Sequence, residues 1–483
     1  MLVGSLEQVV SQLPPCFGRS VTRTVEADYL VIGAGAAGMA FTDALIDHAD
    51  VRVAMVDRRH GVGGHWLDAY PFVRLHQASA FYGVGSTLLG GGRVQRHGPE
   101  ASLHERASVS EIRLYYERIL NRMLESGKVE FFPSCEYFVD RQIVSRISGK
   151  RFEVPQRCRI VDARYLAPDI PAVTPPPFDV ADGARVIPVN DLARVAEAPS
   201  QYVIVGSGKT ATDACVWLLA CGLDPNAICW VRPRDPWMLN RGVVQPNPAV
   251  FIGMVADTMQ AAVAAASLEE LFLRLEEAEI MLRIDRSVTP TMAKTPTLAL
   301  WELEQLRTIE NVVRLGHVRL VDPGRITLRE GSVEIAKDAL VVHCAASGLQ
   351  YPPLVPIWGP SAITLQPIRA GFPCFGAALA GYVEATRQHD VEKNRLCPPT
   401  PYADTLAGWA SMTVLGARAT MSFGSEPDIK DWANAVPLNP ARIPPEHGDS
   451  AELSDAVDRL QTHQHSGLDK LAELSGEEPL GQR

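Results

Sequence analysis

The sequence predicts an α/β fold containing two units of one plan, and three observations carry that prediction. An apolar strand, a glycine-rich turn and a helix with apolar spacing follow one another twice; each set is followed by a second short apolar strand; and the two second strands end in residues of opposite charge. Continuous apolar strands joined through helices indicate parallel sheets covered on both faces.

The first unit opens with the strand Asp28 to Ile32 and the turn Gly33-Ala34-Gly35-Ala36-Ala37-Gly38. A helix over Met39 to Ile46 and a strand over Val51 to Val56, ending at Asp57, complete it. In a G-x-G-x-x-G turn the first glycine permits the bend, the second admits a pyrophosphate against the backbone, and the third lets helix pack on strand. The pyrophosphate lies on the helix N-terminus, where free N–H groups favour an anion. An acid roughly 20 residues on binds a free ribose 2′-hydroxyl, and Asp57 stands at that distance, so this unit suits FAD or NAD.

The second unit reads Tyr202 to Val205, then Gly206-Ser207-Gly208-Lys209-Thr210-Ala211, a helix through Leu219, and a strand Ala227 to Val231 ending at Arg232. Ala211 replaces the third glycine, a tolerated variant. Arg232 and Arg234 in place of an acid suit a 2′-phosphate, which points to NADPH. Gly208-Lys209-Thr210 is no ATPase phosphate loop, because Val203 occupies the position where that loop needs glycine.

The chain has 483 residues, 46% of them hydrophobic, and a net charge of −10. That length predicts two or three domains, and the absence of a basic run excludes a nucleic-acid or anionic-membrane partner. No run of about 18 apolar residues is present to cross a bilayer, and Met1 to Ala27 lacks the pattern of a signal peptide. A cytoplasmic address is therefore expected. The nine cysteines never form C-x-x-C, which disfavours dithiol exchange, and no spacing suggests a metal site.

Further along, Gly63-Gly64-His65-Trp66 leads into a loop, Tyr70 to His76, and on to Phe81-Tyr82. Gly90-Gly91-Gly92 marks a turn, and Ser108 with Glu111 forms a capping box for a helix reaching about Glu125 and stopping at Gly127. Pro168 to Pro177 reads as a crossover between domains. An alanine- and glutamate-rich stretch, 254–283, reads as a helical insertion in the second unit. Val312 to Val321, Arg325 to Leu328 and Val333 to Ile335 read as a small antiparallel set, and the strand from Ala339 returns the chain to the first domain. A capped helix over Ser450 to Glu473 lies near the end. The expected layout is an N-terminal extension at 1–26, an FAD domain at 27–177 and 345–440, an inserted NADPH domain at 178–344, and a helical tail at 441–483.

The first turn, Gly63-Gly64-x-Trp66 and the second turn ending at Arg232 together resemble the class B flavin monooxygenases, the flavin-containing and Baeyer-Villiger enzymes, over roughly residues 27 to 385. The resemblance implies two Rossmann-like dinucleotide-binding domains with FAD on Gly33, Gly35, Gly38, Asp57, Gly63, Gly64 and Trp66. It implies NADPH on Gly206, Gly208, Lys209, Thr210, Arg232 and Arg234. Tyr70-Pro71 with Arg74 is similar to that family's flavin-facing loop. In that family NADPH reduces FAD, dioxygen adds at flavin C4a, and the peroxyflavin oxygenates a nitrogen, sulfur or carbonyl carbon.

Two departures shape the expectation. The fingerprint Phe-x-Gly-x-x-x-His should fall near Phe178 to Asn190, yet no histidine occurs between His104 and His317. The Baeyer-Villiger lysine-arginine-proline string meets only Ala293-Lys294-Thr295-Pro296. The sequence thus predicts heteroatom oxygenation or hydroxylation of a small molecule with dioxygen, with Arg74, His76 and Tyr82 as candidate catalytic groups and Asn240-Arg241 as a candidate nicotinamide contact. A reductase or dehydrogenase that forms no peroxyflavin, or a flavin-binding partner protein with degenerate catalysis, are the competing readings.

Overall fold

The protein is described by a computed structural model covering residues 23–346, 348, 352–448 and 450–479, without the side chains of 294 and 295. The expected N-terminal extension lies almost wholly outside the described residues.

Two five-stranded parallel sheets organise the chain, and they share the arrangement of four strands while the fifth, an edge strand, comes last along the chain in the first sheet and first in the second. In the first, Ile363–Thr364, Arg159–Asp162, Tyr29–Ile32, Val53–Val56 and Val129–Phe132 lie side by side. In the second the order is Arg185–Pro188, Leu340–His343, Tyr202–Val205, Ile228–Val231 and Val312–Val313. Each glycine turn leaves the carboxyl end of the central strand. Val312–Val313, expected in the small antiparallel set, instead closes the edge of the second sheet. The antiparallel set itself is Val318–Asp322, Arg325–Leu328 and Gly331–Glu334.

Strand alternation explains how each sheet is covered. Leu30 and Ile32 face a satellite sheet of short strands, packing with Phe132, Ile143 and Phe152, whereas Val31 faces the helices. Val203 and Val205 likewise face the second unit's meander with Ile326 and Leu328, and Tyr202 and Ile204 face helices. With a side-chain period of two, an all-apolar strand serves both layers at once. Each such buried side chain contributes about 1.5–3 kcal/mol.

On the helical side of the first sheet, Ala36–His48 packs against Pro373–Thr386 so closely that a Cβ at Gly381 would lie 2.4 Å from the Phe41 carbonyl oxygen. The capping box forms as the sequence implies: Glu111 N–H donates to Ser108 Oγ, Ser108 N–H donates to Glu111 Oε2, and the helix spans Val109–Glu125.

The stretch 254–283 differs from its expected form. It holds the larger part of one helix, Pro248–Ala264, then a second, Leu268–Glu277, and the strand Met281–Leu282. Asn247 starts the first helix early by accepting from Ala249 and Val250 N–H with Pro248 at its first position, and Ser267 restarts the chain by accepting from Glu270 N–H. Helix Ala451–Ser475 lies across the first of them, with Gly467 against the Met259 backbone.

Candidate dinucleotide and active site

The first glycine turn is built for close approach. Gly33 has φ +102°, and its N–H donates to Val56 O at 2.8 Å; Gly35 caps the helix without any side-chain acceptor. A Cβ on Gly38 would sit 2.0 Å from Gly33 O, so only glycine lets this helix seat on its strand. Gly63, at φ +107°, donates its N–H to Ala34 O, and a Cβ on Gly64 would stand 3.0 Å from Gly35 Cα. Asp57 accepts from Ala34 N–H at 2.8 Å and Arg59 N–H at 2.8 Å, which fixes its carboxylate at the end of its strand.

Gly33, Gly35, Gly38, Asp57, Gly63 and Gly64 therefore come together around a side-chain-free helix N-terminus, a donor set that fits a dinucleotide diphosphate. Trp66 stands behind them, donating Nε1–H to Tyr82 Oη at 2.6 Å. Tyr82 is buried edge-on to Trp66 and Tyr116, and burial drives its pKa far up. The tyrosine expected beside the reacting centre is a neutral member of this aromatic layer. Arg164, just past the strand Arg159–Asp162, crosses the turn with its Cγ 3.4 Å from the position of a Gly33 Cβ, and it pairs with Asp162.

At the second turn Gly206 has φ +133°, and Trp230 Nε1–H donates to its carbonyl at 2.8 Å. A Cβ at Gly208 would meet nothing within 4 Å, so the helix Lys209–Ala220 opens freely at its N-terminus. The Lys209 ammonium is ion-paired with Asp213 one turn on, and Tyr70 Oη donates to the other Asp213 oxygen at 2.7 Å. Phe72 stacks on Trp217 at 4.6 Å. The Tyr70 loop, expected to face a flavin, thus docks two aromatic side chains onto the helix of the second unit.

The strand-end arginines divide differently from expectation. Arg232 is 1% exposed, its guanidinium lies 4.7 Å from the Trp230 ring, its Nη1 is ion-paired with Asp235 at 3.4 Å, and its Nε has no hydrogen-bond partner among the described residues. Burial lowers its pKa, partly offset by Asp235. In this arrangement Arg232 does not present its charge to a 2′-phosphate; it braces the indole that holds the turn. Arg234, 47% exposed and ion-paired with Asp404 at 3.2 Å, is the more accessible cation there.

Arg241 is also placed otherwise than expected. It is 0% exposed and bridges Glu100 and Glu302, each at 2.7 Å, while its Nε donates to His76 O at 2.9 Å. Arg106 joins the network by pairing with Glu100 and lying 3.6 Å from Glu302. Burial raises both glutamates, but the Arg106 and Arg241 charges outweigh it and hold both below the usual carboxylate range. No spacing in the sequence announces this cluster, because its members come from three distant segments.

His76 sits against the network. Its Nδ1 accepts from Thr297 N–H at 3.3 Å, and burial with the nearby Lys209 and Arg241 charges lowers its pKa to about 3. It is neutral at physiological pH and serves as an acceptor. Arg74 is exposed and donates to Arg106 O at 3.1 Å. Arg74, Glu105, Lys209, Asp213, Trp217 and Trp301 line one cavity of about 1010 Å³ between the two units. Arg74 and Lys209 are thereby brought together, while Tyr82 is not among the lining residues. Lys294 and Thr295 lie on the strand Met292–Leu298, but their side chains are outside the described residues. In the fingerprint region Phe178 meets His343 edge-on at 5.9 Å, so a phenylalanine-histidine pair forms with a histidine from a distant strand.

Residues 31–81 match the model of an NAD(P)-binding Rossmann-like domain. Uncharacterized proteins of Mycobacterium tuberculosis and Mycobacterium bovis are each 41% identical over 421 residues, 86% of this chain and 78% of theirs. The polycyclic ketone monooxygenase from the thermophilic fungus Thermothelomyces thermophila superposes with a TM-score of 0.50 at 13% identity, covering 96% of this chain and 91% of that one. The chain therefore belongs to the same family as these mycobacterial proteins, on a fold like that of the class B flavin monooxygenases.

Proposed function

We propose that the protein is an FAD-containing, NADPH-dependent monooxygenase that oxygenates a small organic substrate at a heteroatom or by hydroxylation. The observation that carries this reading is the repetition of one sheet plan, each copy with a bare helix N-terminus at its carboxyl end and a shared cavity between them. Ligands of open parallel sheets bind at that end.

Gly33, Gly35, Gly38, Asp57, Gly63, Gly64 and Trp66 would hold FAD, and Gly206, Gly208, Lys209, Thr210 and Arg234 would hold NADPH. When bound, the flavin supplies hydride acceptance from the coenzyme and reaction with dioxygen. The chain supplies orientation and charge. Arg74 and the Lys209–Asp213 pair stand on the cavity wall, neutral His76 offers a backbone-facing acceptor behind it, and the Phe72–Trp217 stack forms an aromatic part of the lining.

Stopped-flow mixing of NADPH-reduced protein with oxygen tests the reading. A transient absorbance distinct from both reduced and oxidised flavin is the expected result. Direct return to oxidised flavin would replace it with a reductase or dehydrogenase, and failure of NADPH to bleach the flavin would leave a non-catalytic partner protein.

Coenzyme choice has its own test. Arg234→Ala is expected to raise KM for NADPH about tenfold with little change for NADH, the effect of one charged hydrogen bond. Arg232→Ala is expected to lower the melting temperature while leaving the NADPH-to-NADH preference intact. The reverse pattern would restore Arg232 to the phosphate.

A further inference from the structure

The cavity of about 1010 Å³ is walled by two helices that belong to different units. Lys209, Asp213, Trp217 and Ala220 recur at three- and four-residue spacing along Lys209–Ala220, and Glu111, Leu114 and Arg118 do so along Val109–Glu125. One face of each helix therefore lines the space, and the rise from Lys209 to Ala220 makes that wall about 16 Å long. Phe72, stacked on Trp217, supplies aromatic surface, and Leu88 and Leu114, 36% and 47% exposed, supply aliphatic surface. A cavity of this size and mixed lining suits a small organic ligand.

Every carboxylate on the wall is already answered. Glu105 pairs with Arg93 at 3.0 Å, Asp213 pairs with Lys209, and Glu100 and Glu302 pair with Arg106 and Arg241. Glu111 accepts from the N–H and the hydroxyl of Ser108, each at 2.7 Å. Two cations on the same wall are not matched in this way. Arg74 has no ion pair among the described residues and donates to the Arg106 carbonyl oxygen, while Arg118 has neither a hydrogen bond nor an ion pair among them. The Arg74 backbone bridges to Ser108, the cap of Val109–Glu125, and Arg118 stands ten residues along that helix, so the two arginines bracket Leu114. A protonated amine would meet two cations and no uncommitted carboxylate here. An organic acid would meet two open guanidiniums, on a chain whose net charge is −10.

We propose that this cavity selects an organic carboxylate with an apolar body, received by Arg118 and Arg74, and turns away amines. A planar guanidinium matches a carboxylate in two parallel hydrogen bonds. Repulsion of the wrong charge adds to the selection. The proposal names the substrate class of the monooxygenase read above, and rests on that reading only for what becomes of the bound acid.

Three probes of one body and different end charge test it: 6-phenylhexanoate, 6-phenylhexan-1-ol and 6-phenylhexylamine, titrated by calorimetry into the protein as purified. The wild type is expected to bind the acid at least about tenfold more tightly than the amine. Arg118→Gln is expected to weaken the acid about tenfold and the Arg74→Gln/Arg118→Gln variant further, with the alcohol bound as before; Arg118→Lys should recover part of the loss. Both positions are exposed, so folding, checked by circular dichroism, should be retained. Equal binding of acid and amine by the wild type, binding of none of the three probes, or an equal loss for acid and alcohol overturns the proposal. So does a double variant that binds the acid as the wild type does, and one that then loses NADPH affinity assigns the arginines to the coenzyme. A protein that takes up no flavin would defeat the monooxygenase reading alone, and the ranking of the three probes would still decide the cavity.

Discussion

Replacing Arg241 with methionine is expected to lower the free energy of unfolding by about 3–5 kcal/mol at pH 8, read by urea denaturation, because it leaves buried carboxylates without their cation. Glu100 and Glu302 would then share Arg106 alone. The pH dependence carries the sign of the mechanism. Both glutamates have folded pKa values below the ordinary 4.5, so in the wild type their contribution is fully present above that pH and is lost as pH falls through the folded values. In Arg241→Met the excess buried charge pushes a glutamate pKa upward instead. Protonation then relieves the defect, and the deficit relative to wild type should narrow between pH 8 and pH 5. A deficit that stayed constant would mean Arg241 contributes packing and little charge pairing.

The second large effect separates two glycines that the sequence treats alike. Gly38→Ala puts a methyl carbon 2.0 Å from the Gly33 carbonyl oxygen, backbone that cannot swing aside. Helix Ala36–His48 must lift from its strand, and overpacking of this kind costs about 1–3 kcal/mol or more. Loss of bound flavin during purification is the expected readout, together with a lower melting temperature. Gly208→Ala meets nothing within 4 Å, and its φ of −89° suits any residue. Stability should be unchanged there, while the methyl group intrudes where a coenzyme diphosphate would approach the backbone. A raised KM for NADPH with an unaltered melting temperature is expected. If Gly208→Ala bound NADPH as the wild type does, the second turn would not be a diphosphate site.

The sequence made some of this legible and left the rest hidden, for physical reasons that differ by residue. Strands such as Tyr29–Ile32 and Tyr202–Val205 were readable because burial on both faces demands an unbroken apolar run, and the glycine turns because their geometry excludes a side chain. The capping box at Ser108 was readable because both partners lie within one turn. The buried role of Arg241 was hidden because Glu100 and Glu302, which neutralise it, are far away along the chain. The burial of Arg232 was hidden because a strand-end arginine can point outward or fold back, and here it lies over the indole of Trp230. The Tyr70 loop was expected to face a flavin, and its docking on Asp213 and Trp217 was hidden because it depends on how the two units meet.

The different origin of the two edge strands sets up an asymmetry in time. The second sheet draws all five strands from one stretch, Arg185 to His343, whereas the first waits for Ile363–Thr364 after that whole stretch has been made. A chain emerging from the ribosome can therefore finish the second unit while the first still lacks its edge strand and the helix Pro373–Thr386 that seals Phe41. The loop-closure entropy of that late return falls on the first unit alone. The first sheet thus waits on synthesis of its neighbour, and a stalled or truncated chain would carry a finished second sheet beside an open first one.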